Sequence, residues 1–496
     1  MAIYYGYRMY AITPWYDELY TYYCFISKGP VYAAIHWPLP NNHVGYSVLS
    51  GCLDFLGNSY IGLRGISYLC ALLNLILIKK IAEKFLEDPI PLIVTGLYGS
   101  FYLVNQQAVQ GRGYTLGITC FLAALWCLSK IVECEEIKKR YYFGFAGVLI
   151  LALYTLTSDV YFVIPLCFAG GAFLLFHKEI RKLIKLMIWS LAAAVGTLFL
   201  YAIIWLAIGS NLLVKDTTGF YYGMSHAEMI LKSPFAAMGR GMEYMLATPY
   251  IQSEERAGFF GRLLSFFASL CDFMVQKPRY LALLIVCIGI VGMLFVIIKK
   301  WKQHQNTELF WEFVLLFQLL FVPICLMIQC KRPYYRVFTY LGAVLALTIG
   351  FLLQILLKKV KSVKTGIVMT VLTMCYLLYC LFFTDYNAPY GERENLIADA
   401  WKNSPVSVQD SICVTDCNQE YLLYFLYGIR CENHDVQNAD VVMLDKRMAE
   451  PEFDEMVWEW YVYHEDIPWD YLEKEMIPVY ENDGYMVYIK RKGEKS

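Results

Sequence analysis

Residues 280–302 read YLALLIVCIGIVGMLFVIIKKWK, and the architecture follows from them. From Tyr280 to Ile298 no residue is charged, and the run closes on Lys299, Lys300 and Lys302. A helix needs about 20 predominantly apolar residues to cross the hydrocarbon core of a bilayer. A run apolar on every side suits lipid rather than one buried face. Working outward, similar stretches recur at 61–78, 90–104, 114–132, 142–157, 159–176, 186–208, 310–328, 337–357 and 366–383. The pair 142–157 and 159–176 is separated only at Ser158-Asp159 and predicts a tight hairpin, because one continuous helix would carry Asp159 in mid-membrane. The expectation is an α-helical polytopic membrane protein with about ten transmembrane helices.

Composition agrees. Of 496 residues, 58% are hydrophobic and 17% charged, where a soluble domain is nearer half apolar and about a quarter charged. The net charge of −1 argues against a nucleic-acid partner. Placement of the basic residues says more. Alternate connections hold Lys79, Lys80 and Lys84; Lys130, Lys138, Lys139 and Arg140; Lys178, Arg181, Lys182 and Lys185; Lys299, Lys300 and Lys302; and Lys358, Lys359, Lys361 and Lys364. The other short connections hold little beyond Arg112 and the trio Lys331, Arg332 and Arg336. The positive-inside rule makes the first set cytoplasmic. It then puts residues 1–60, Arg112, Asp159, the loop 209–279, the turn 329–336 and everything after residue 384 outside. Residues 1–20 carry Arg8, Pro14, Asp17 and Glu18 and no cleavable signal peptide is expected in them.

Two soluble regions stand out. The 209–279 loop carries aromatic and basic stretches, such as residues 220–222 and 259–264, that suit helices lying in the membrane interface. From residue 385 onward the chain is charged and alternates short β-like runs at 411–415, 440–444 and 484–489 with a helical stretch near 420–426. The expected domains are a transmembrane domain over 1–384 and a small α/β domain over 385–496. Most of the 16 cysteines lie in apolar runs and are expected to pack there. Cys413, Cys417 and Cys431 lie in the tail, where an extracytoplasmic location permits a disulfide. No cysteine–histidine zinc spacing occurs.

The residues able to carry chemistry fall on the predicted outer side. Asp17-Glu18 is a carboxylate pair beside aromatics; it can hold a cation, or one member can act as a general base, or both can simply favour a helix start. Asn41-Asn42-His43 offers a ligand for a metal, a phosphate or a sugar hydroxyl, or is an ordinary polar loop. Arg112, between Gly111 and Gly113 and before Tyr114, suits an anion at a helix start, or an interfacial anchor. Lys331, Arg332 and Arg336 form the one outer basic cluster; Arg332 and Arg336, four apart, are expected to share a helical face and to meet a lipid phosphate or anionic headgroups. Asp159 is either a second acidic site residue or a helix cap.

In order and spacing these motifs resemble the GT-C glycosyltransferases, closest to family 39, the protein O-mannosyltransferase and aminoarabinose-transferase group. Asp17-Glu18 resembles their acidic motif in the first outer loop. Asn41-Asn42-His43 with Tyr46, Arg64 with Ser67, and Gln110-Gly111-Arg112-Gly113-Tyr114 are similar to what bacterial members show. The resemblance covers residues 13–160; beyond them only topology matches. It implies an inverting transfer of a sugar from a polyprenyl-phosphate donor to a lipid, glycan or protein acceptor at the outer face of a plasma membrane. Asp17 is then the base and Glu18 its support. Arg112, Lys331, Arg332 and Arg336 hold the donor phosphate. Asn42, His43, Tyr46, Arg64, Tyr114 and Asp159 bind substrate. No cofactor is required with certainty, and a divalent metal at Asp17 and His43 is left open. The first transmembrane helix of the family is not evident before Asp17, residues 1–12 being short and polar. The alternatives are a transporter or flippase for a lipid-linked sugar, which would favour midplane ionisable residues and inverted repeats, a polymerase or ligase of another fold, and an inactive scaffold.

Overall fold

The computed structural model describes residues 1–36, 42–134, 136, 138–217, 219–247, 258–276, 279–302, 309–360, 363–386, 391–431, 434–449, 462–463 and 467–491. Asn41 lies outside them. All ten predicted spans are helical. They are α5 (Ser59–Ala82), α6 (Ile90–Ser100) with α7 (Tyr102–Ala108), α8 (Tyr114–Glu133), α9 (Lys139–Thr155), α10 (Val160–Phe176), α11 (Ile180–Val214), α15 (Arg279–Lys302), α16 (Phe310–Gln329), α17 (Leu341–Val360) and α18 (Val363–Phe383). Eight helices among the described residues are long and apolar enough to cross a membrane; α6 and α9 are the shorter pair. The chain is a multi-pass membrane protein.

Burial orders the bundle. In α8, 67% of the membrane-length window is buried, against 11% in α18, so α8 is central and α18 peripheral. Large side chains such as Leu191, Phe199, Val291, Phe295, Val371 and Phe382 are exposed on α11, α15 and α18. That is where lipid replaces water as the solvent.

The predicted span 90–104 is interrupted. Phe101 is extended (φ −65°, ψ 134°) and separates α6 from α7. Asn105 bridges the break: its Nδ2 donates to the Gly99 carbonyl at 2.5 Å, and at 3.2 Å to the Phe101 carbonyl, which also accepts from the Asn105 backbone N–H at 3.0 Å. Hydrophobicity alone hides this break, because every residue of α7 is buried.

The N-terminal segment is not a loop. It folds as α1 (Ala2–Ala11), α2 (Tyr16–Cys24), α3 (Pro30–Ile35) and α4 (Val44–Asp54), packed against α5 and one another. The 209–279 region likewise folds as α12 (His226–Lys232), α13 (Pro234–Ala247) and α14 (Phe259–Val275). At 35 residues, α11 is about 52 Å long, well beyond the roughly 30 Å hydrocarbon core. Its far end packs on α13 backbone to backbone. A Cβ on Gly209 would strike the Ala237 carbonyl, and one on Gly241 would strike that of Trp205.

After α18 the chain forms a small α/β unit. Strands β1 (Ile412–Val414), β2 (Val441–Asp445), β3 (Met476–Glu481) and β4 (Tyr485–Lys490) order as β1-β2-β4-β3, with β1 and β2 parallel and the other pairs antiparallel. Helices α19 (Glu392–Asn403), α20 (Cys417–Tyr427) and α21 (Trp469–Glu475) accompany the sheet. Strand β3 is an element the sequence pattern did not announce. Cys413, Cys417 and Cys431 are buried and unbridged, so the disulfide allowed for is not formed.

This unit packs on α2. Tyr421 of α20 lies among Tyr16, Tyr20 and Tyr23, with the Tyr23 and Tyr421 ring centroids 4.6 Å apart. The Tyr23 hydroxyl donates to Glu420. Phe425 meets Tyr22 and Tyr60 edge-on, and the Thr13 hydroxyl donates to Asn395 at 2.6 Å. The helix that carries Asp17-Glu18 therefore lies between the bundle and the α/β unit.

Candidate active site

Pro14 and the extended Trp15 lead into α2, which places Asp17 and Glu18 in its first turn. Acidic side chains favour that position because they face the unpaired N–H groups of a helix start. Glu18 reaches back to the helix start, accepting from the Trp15 backbone N–H at 3.4 Å as the glutamate of a capping box does. Its carboxylate also turns inward, where Arg64 of α5 grips it in a bidentate pair at 2.7 and 2.8 Å. The Gly111 N–H adds a third bond at 2.5 Å. Arg64 continues to the carbonyls of Met9 and Ile12, at 3.0 and 2.6 Å. Glu18 and Arg64 are both 1% exposed. One ion pair thus ties α1, α2, α5 and the 110–113 turn together. Removing one partner of such a pair costs about 3–5 kcal/mol.

Asp17 has a different fate. Consecutive residues on a helix diverge by about 100°. Asp17 consequently faces the other way, toward the 3₁₀ turn at Tyr335–Phe338. Its Oδ2 lies 2.9 Å from Arg336 Nη1, close enough for strong attraction but poorly aligned for a hydrogen bond. Trp15 and Tyr334 present their ring faces to the Arg336 guanidinium, 5.4 and 4.9 Å from their centroids. Asp17 and Arg336 keep 14% and 20% of their side-chain surface exposed, unlike Glu18 and Arg64. The two carboxylates do not converge on one cation: one is structural and the other is accessible.

Arg112 reaches the same place from the turn that leads into α8. Its Nη1 donates to the Asp17 carbonyl at 3.2 Å and to the Thr21 hydroxyl at 2.6 Å. Its Nη2 lies 3.1 Å from His43 Nε2, and the Gly113 N–H donates to His43 Nδ1 at 2.9 Å. Ser67 holds the turn, its hydroxyl bonding the Gln110 and Arg112 carbonyls at 2.5 and 3.3 Å. The glycines allow close packing: a Cβ on Gly113 would stand 3.2 Å from His43 Nδ1, and one on Gly111 would run into Leu63. Burial, then the charges of Arg112 and Arg336, hold the His43 pKa well below the ordinary imidazole value. The three basic groups therefore act on one small volume beside Asp17.

Arg332 and Arg336 do not share a helical face. Cys330 ends α16 in the left-handed conformation (φ 52°), residues 331–334 are irregular, and the 3₁₀ turn begins only at Tyr335. Pro333 accounts for this, since it disfavours helical geometry in the residue before it. Lys331 and Arg332 sit half-buried on this stretch, and Arg336 is the member that meets Asp17.

Several other candidates belong to the scaffold. Asn42 donates to the Ala33 and His36 carbonyls at 3.1 and 2.7 Å and accepts from Ser47. The Tyr46 hydroxyl donates to the Leu63 carbonyl at 2.6 Å and accepts from Ser67. Arg64 is wholly engaged as described. Tyr114 is 7% exposed and meets the His43 ring edge-on. Asp159 precedes α10 but its side chain caps nothing. Its carboxylate is buried against Gly117, whose Cβ would stand 3.0 Å from Oδ2. Among the described residues no three His, Cys, Asp or Glu side chains gather as a metal group. His43 fits a metal poorly, with an amide N–H on one ring nitrogen and a guanidinium on the other.

Sequence reasoning passed over Trp15, which stacks on Arg336, and Thr21, which accepts from Arg112. It also missed Gln106 and Gln107 on α7, each 1% exposed with neither amide atom hydrogen-bonded. Two adjacent glutamines inside an apolar run were the available signal.

Residues 44–205 match the family model described as dolichyl-phosphate-mannose-protein mannosyltransferase. The matched segment contains Arg64, Arg112, Tyr114 and Asp159; Asp17, Glu18, Arg332 and Arg336 lie outside it. The structure is similar to the crystal structure of the Archaeoglobus fulgidus oligosaccharyltransferase complex with Zn and sulfate, at 12% identity and a TM-score of 0.47, over 99% of this chain and 72% of that one. No curated protein matches the chain by sequence. Over residues 44–205, about a third of its length, the chain is similar to that family.

Proposed function

We propose that the protein transfers a sugar from a polyprenyl-phosphate donor to an acceptor hydroxyl, with inversion, at the extracytoplasmic face of a plasma membrane. The observation that carries this reading is the accessible Asp17 carboxylate 2.9 Å from Arg336, with Arg112 beside it. A base and two cations on one small volume suit the removal of a proton next to a departing phosphate.

The acceptor hydroxyl gives its proton to Asp17. Its oxygen attacks the anomeric carbon from the side opposite the phosphate, the sugar–phosphate bond breaks, and the electron pair leaves with the polyprenyl phosphate. Charge grows on the phosphate oxygens during this step, so Arg112 and Arg336 favour the transition state over the ground state. The Asp17–Arg336 contact also has a use: a phosphate that draws Arg336 away leaves the Asp17 carboxylate turned to the acceptor.

An apolar cavity of about 270 Å³ lies between α14, α15, α16 and α17, lined by Phe260, Leu263, Phe267, Val286, Leu319 and Leu341 among others. Met327 of α16 and Leu341 of α17 both line it, and the chain between them carries Lys331, Arg332 and Arg336. A prenyl chain in this cavity would deliver its phosphate to those cations. The anchor would also hold the sugar near Asp17, a positioning effect of known catalytic weight. Asn42, Tyr46 and Arg64 act in this reading by holding the site together.

The test is transfer from a polyprenyl-phosphate mannose, a donor chosen for the family match. Asp17→Asn is expected to lower the rate by about 10²–10⁴-fold with the thermal melt unchanged. Transfer at the wild-type rate would remove Asp17 as the base.

A further inference from the structure

An imidazole has two ring nitrogens, and its uncharged form carries one N–H. At His43 both nitrogens meet donors: the Gly113 N–H at 2.9 Å on Nδ1 and Arg112 Nη2 at 3.1 Å from Nε2. A backbone amide keeps its proton, and a guanidinium keeps its own in proteins. Three N–H groups therefore share two ring nitrogens, and one of them lacks an acceptor in the ring.

The backbone decides which. Gly113 is fixed at the start of α8, its carbonyl accepting from Gly117 N–H at 2.8 Å. Its N–H has no other direction to take, so Nδ1 is the acceptor and the ring proton lies on Nε2. Turning the ring over would put a carbon against that N–H. The Nε2–H then meets an Arg112 N–H, donor against donor, with His43 only 5% exposed. No further acceptor for the ring N–H occurs among the described residues. Two donors that meet at this spacing repel each other, and one anionic oxygen accepting from both relieves the conflict. The electrostatics agree. Burial, Arg112 and Arg336 disfavour the imidazolium, so His43 brings a proton to share and no charge of its own.

We propose that His43, as its Nε2–H tautomer, donates a hydrogen bond to a phosphate oxygen of the lipid-linked donor, paired with Arg112. This rests on the polyprenyl-phosphate reading above. It excludes His43 as a metal ligand, because the nitrogen not taken by Gly113 carries a proton and faces a cation. It also gives Gly113 a role beyond the turn: its N–H sets the tautomer.

The experiment measures binding of polyprenyl phosphate, the product without its sugar, to the full chain in detergent micelles. His43→Phe keeps a ring and removes the donor; affinity is expected to fall on the order of 10–100-fold, as for a hydrogen bond to a charged group. His43→Gln offers an amide N–H near the Nε2 position and is expected to recover most of the loss. Independently of any variant, nitrogen-15 NMR of histidine-labelled wild-type protein should show His43 with its proton on Nε2, and that resonance should move when polyprenyl phosphate is added. Wild-type affinity in His43→Phe, a folded His43→Gln as weak as His43→Phe, or a proton on Nδ1 would each overturn the proposal. So would a phosphate affinity that depends on a divalent cation in wild type and loses that dependence in His43→Phe. If His43→Phe does not fold, the tautomer measurement decides. Should Arg112→Ala weaken binding while His43→Phe does not, only this inference falls. Wild-type protein that binds no polyprenyl phosphate takes the underlying reading with it.

Discussion

Two clusters of charge, one in the α/β unit and one at the proposed site, are built on opposite principles. In the α/β unit, Arg393 bridges Asp416 and Asp445 at 2.6 and 2.5 Å, Arg447 adds a second contact to Asp445 at 2.9 Å, and the Tyr485 hydroxyl accepts from Arg393. Two acids meet two bases, and Asp416 and Asp445 are 1% and 2% exposed. At the proposed site a single accessible acid, Asp17, meets Arg336 and Arg112, with His43 held uncharged beside them. The first cluster is balanced and closed. Among the described residues the second sets two arginines against one carboxylate and keeps exposed edges, which suits a ligand that brings negative charge. Glu18 and Arg64 show the contrast within one dipeptide, since Glu18 follows the first principle and its neighbour Asp17 the second.

Titration behaviour divides the same way. Burial raises Asp445, but the hydrogen bond from Arg447 and the charge of Arg393 overcome it and hold the carboxyl below its ordinary value. Asp416, fully enclosed, goes up with burial despite Arg393. Arg447, in contact with Asp445, makes the difference between the two acids.

The largest expected effect breaks the balanced cluster. Arg393→Met leaves Asp416 and Asp445 buried with one cation between them and should cost about 3–5 kcal/mol of stability, read as a lowered melting temperature or loss of the folded α/β unit. The matching change at the site, Arg336→Met, should do the reverse. The pair is partly exposed, so stability should change by only about 0–1 kcal/mol, while sugar transfer falls by about 10²–10³-fold, the usual effect of deleting one group that stabilises transition-state charge. A stability loss at Arg336 equal to that at Arg393 would collapse the distinction.

A pH series sharpens it further. His43 has a folded pKa below the ordinary 6.5, so the unfolded chain takes up the proton first as pH falls. Its contribution to stability is complete above about pH 6.5 and is lost below it, by up to about 1.4 kcal/mol per pH unit until the folded pKa is reached. Thermal melts between pH 7.5 and 5 should show this slope in wild type and not in His43→Gln. The smallest effect is expected at Arg447→Gln. Arg447 is half-exposed and its partner Asp445 keeps Arg393, so a change of about 0–1 kcal/mol is expected.

Much of this was legible in the sequence. Runs such as 280–298 are decided by composition, because lipid accepts only backbone that satisfies its own hydrogen bonds, and a helix does so locally. The strands at 412–414, 441–445 and 485–490 follow from short runs rich in apolar, β-branched and aromatic residues. Strand β3 did not show itself: Met476–Glu481 contains Pro478 and alternates poorly, and its pairing is bought by β4 alone at the sheet edge. The break at Phe101 was hidden for a related reason, since Asn105 repairs it through a side chain that no hydropathy pattern weighs.

The sequence by itself determined the helical membrane scaffold, the soluble unit after it, and the residue types available for chemistry, because each depends on local composition and spacing. It also marked Asp17, Arg112, His43 and Arg336 as candidates. Only the tertiary structure decided how they divide. Asp17 and Glu18 are adjacent in the chain, yet the turn of α2 sends one to Arg336, 319 positions on, and the other to Arg64. Which ring nitrogen of His43 holds its proton depends on the amide of Gly113, 70 residues away. Such pairings arise from packing between distant segments, and burial fixes their energies by stripping water from one partner and leaving it on the other.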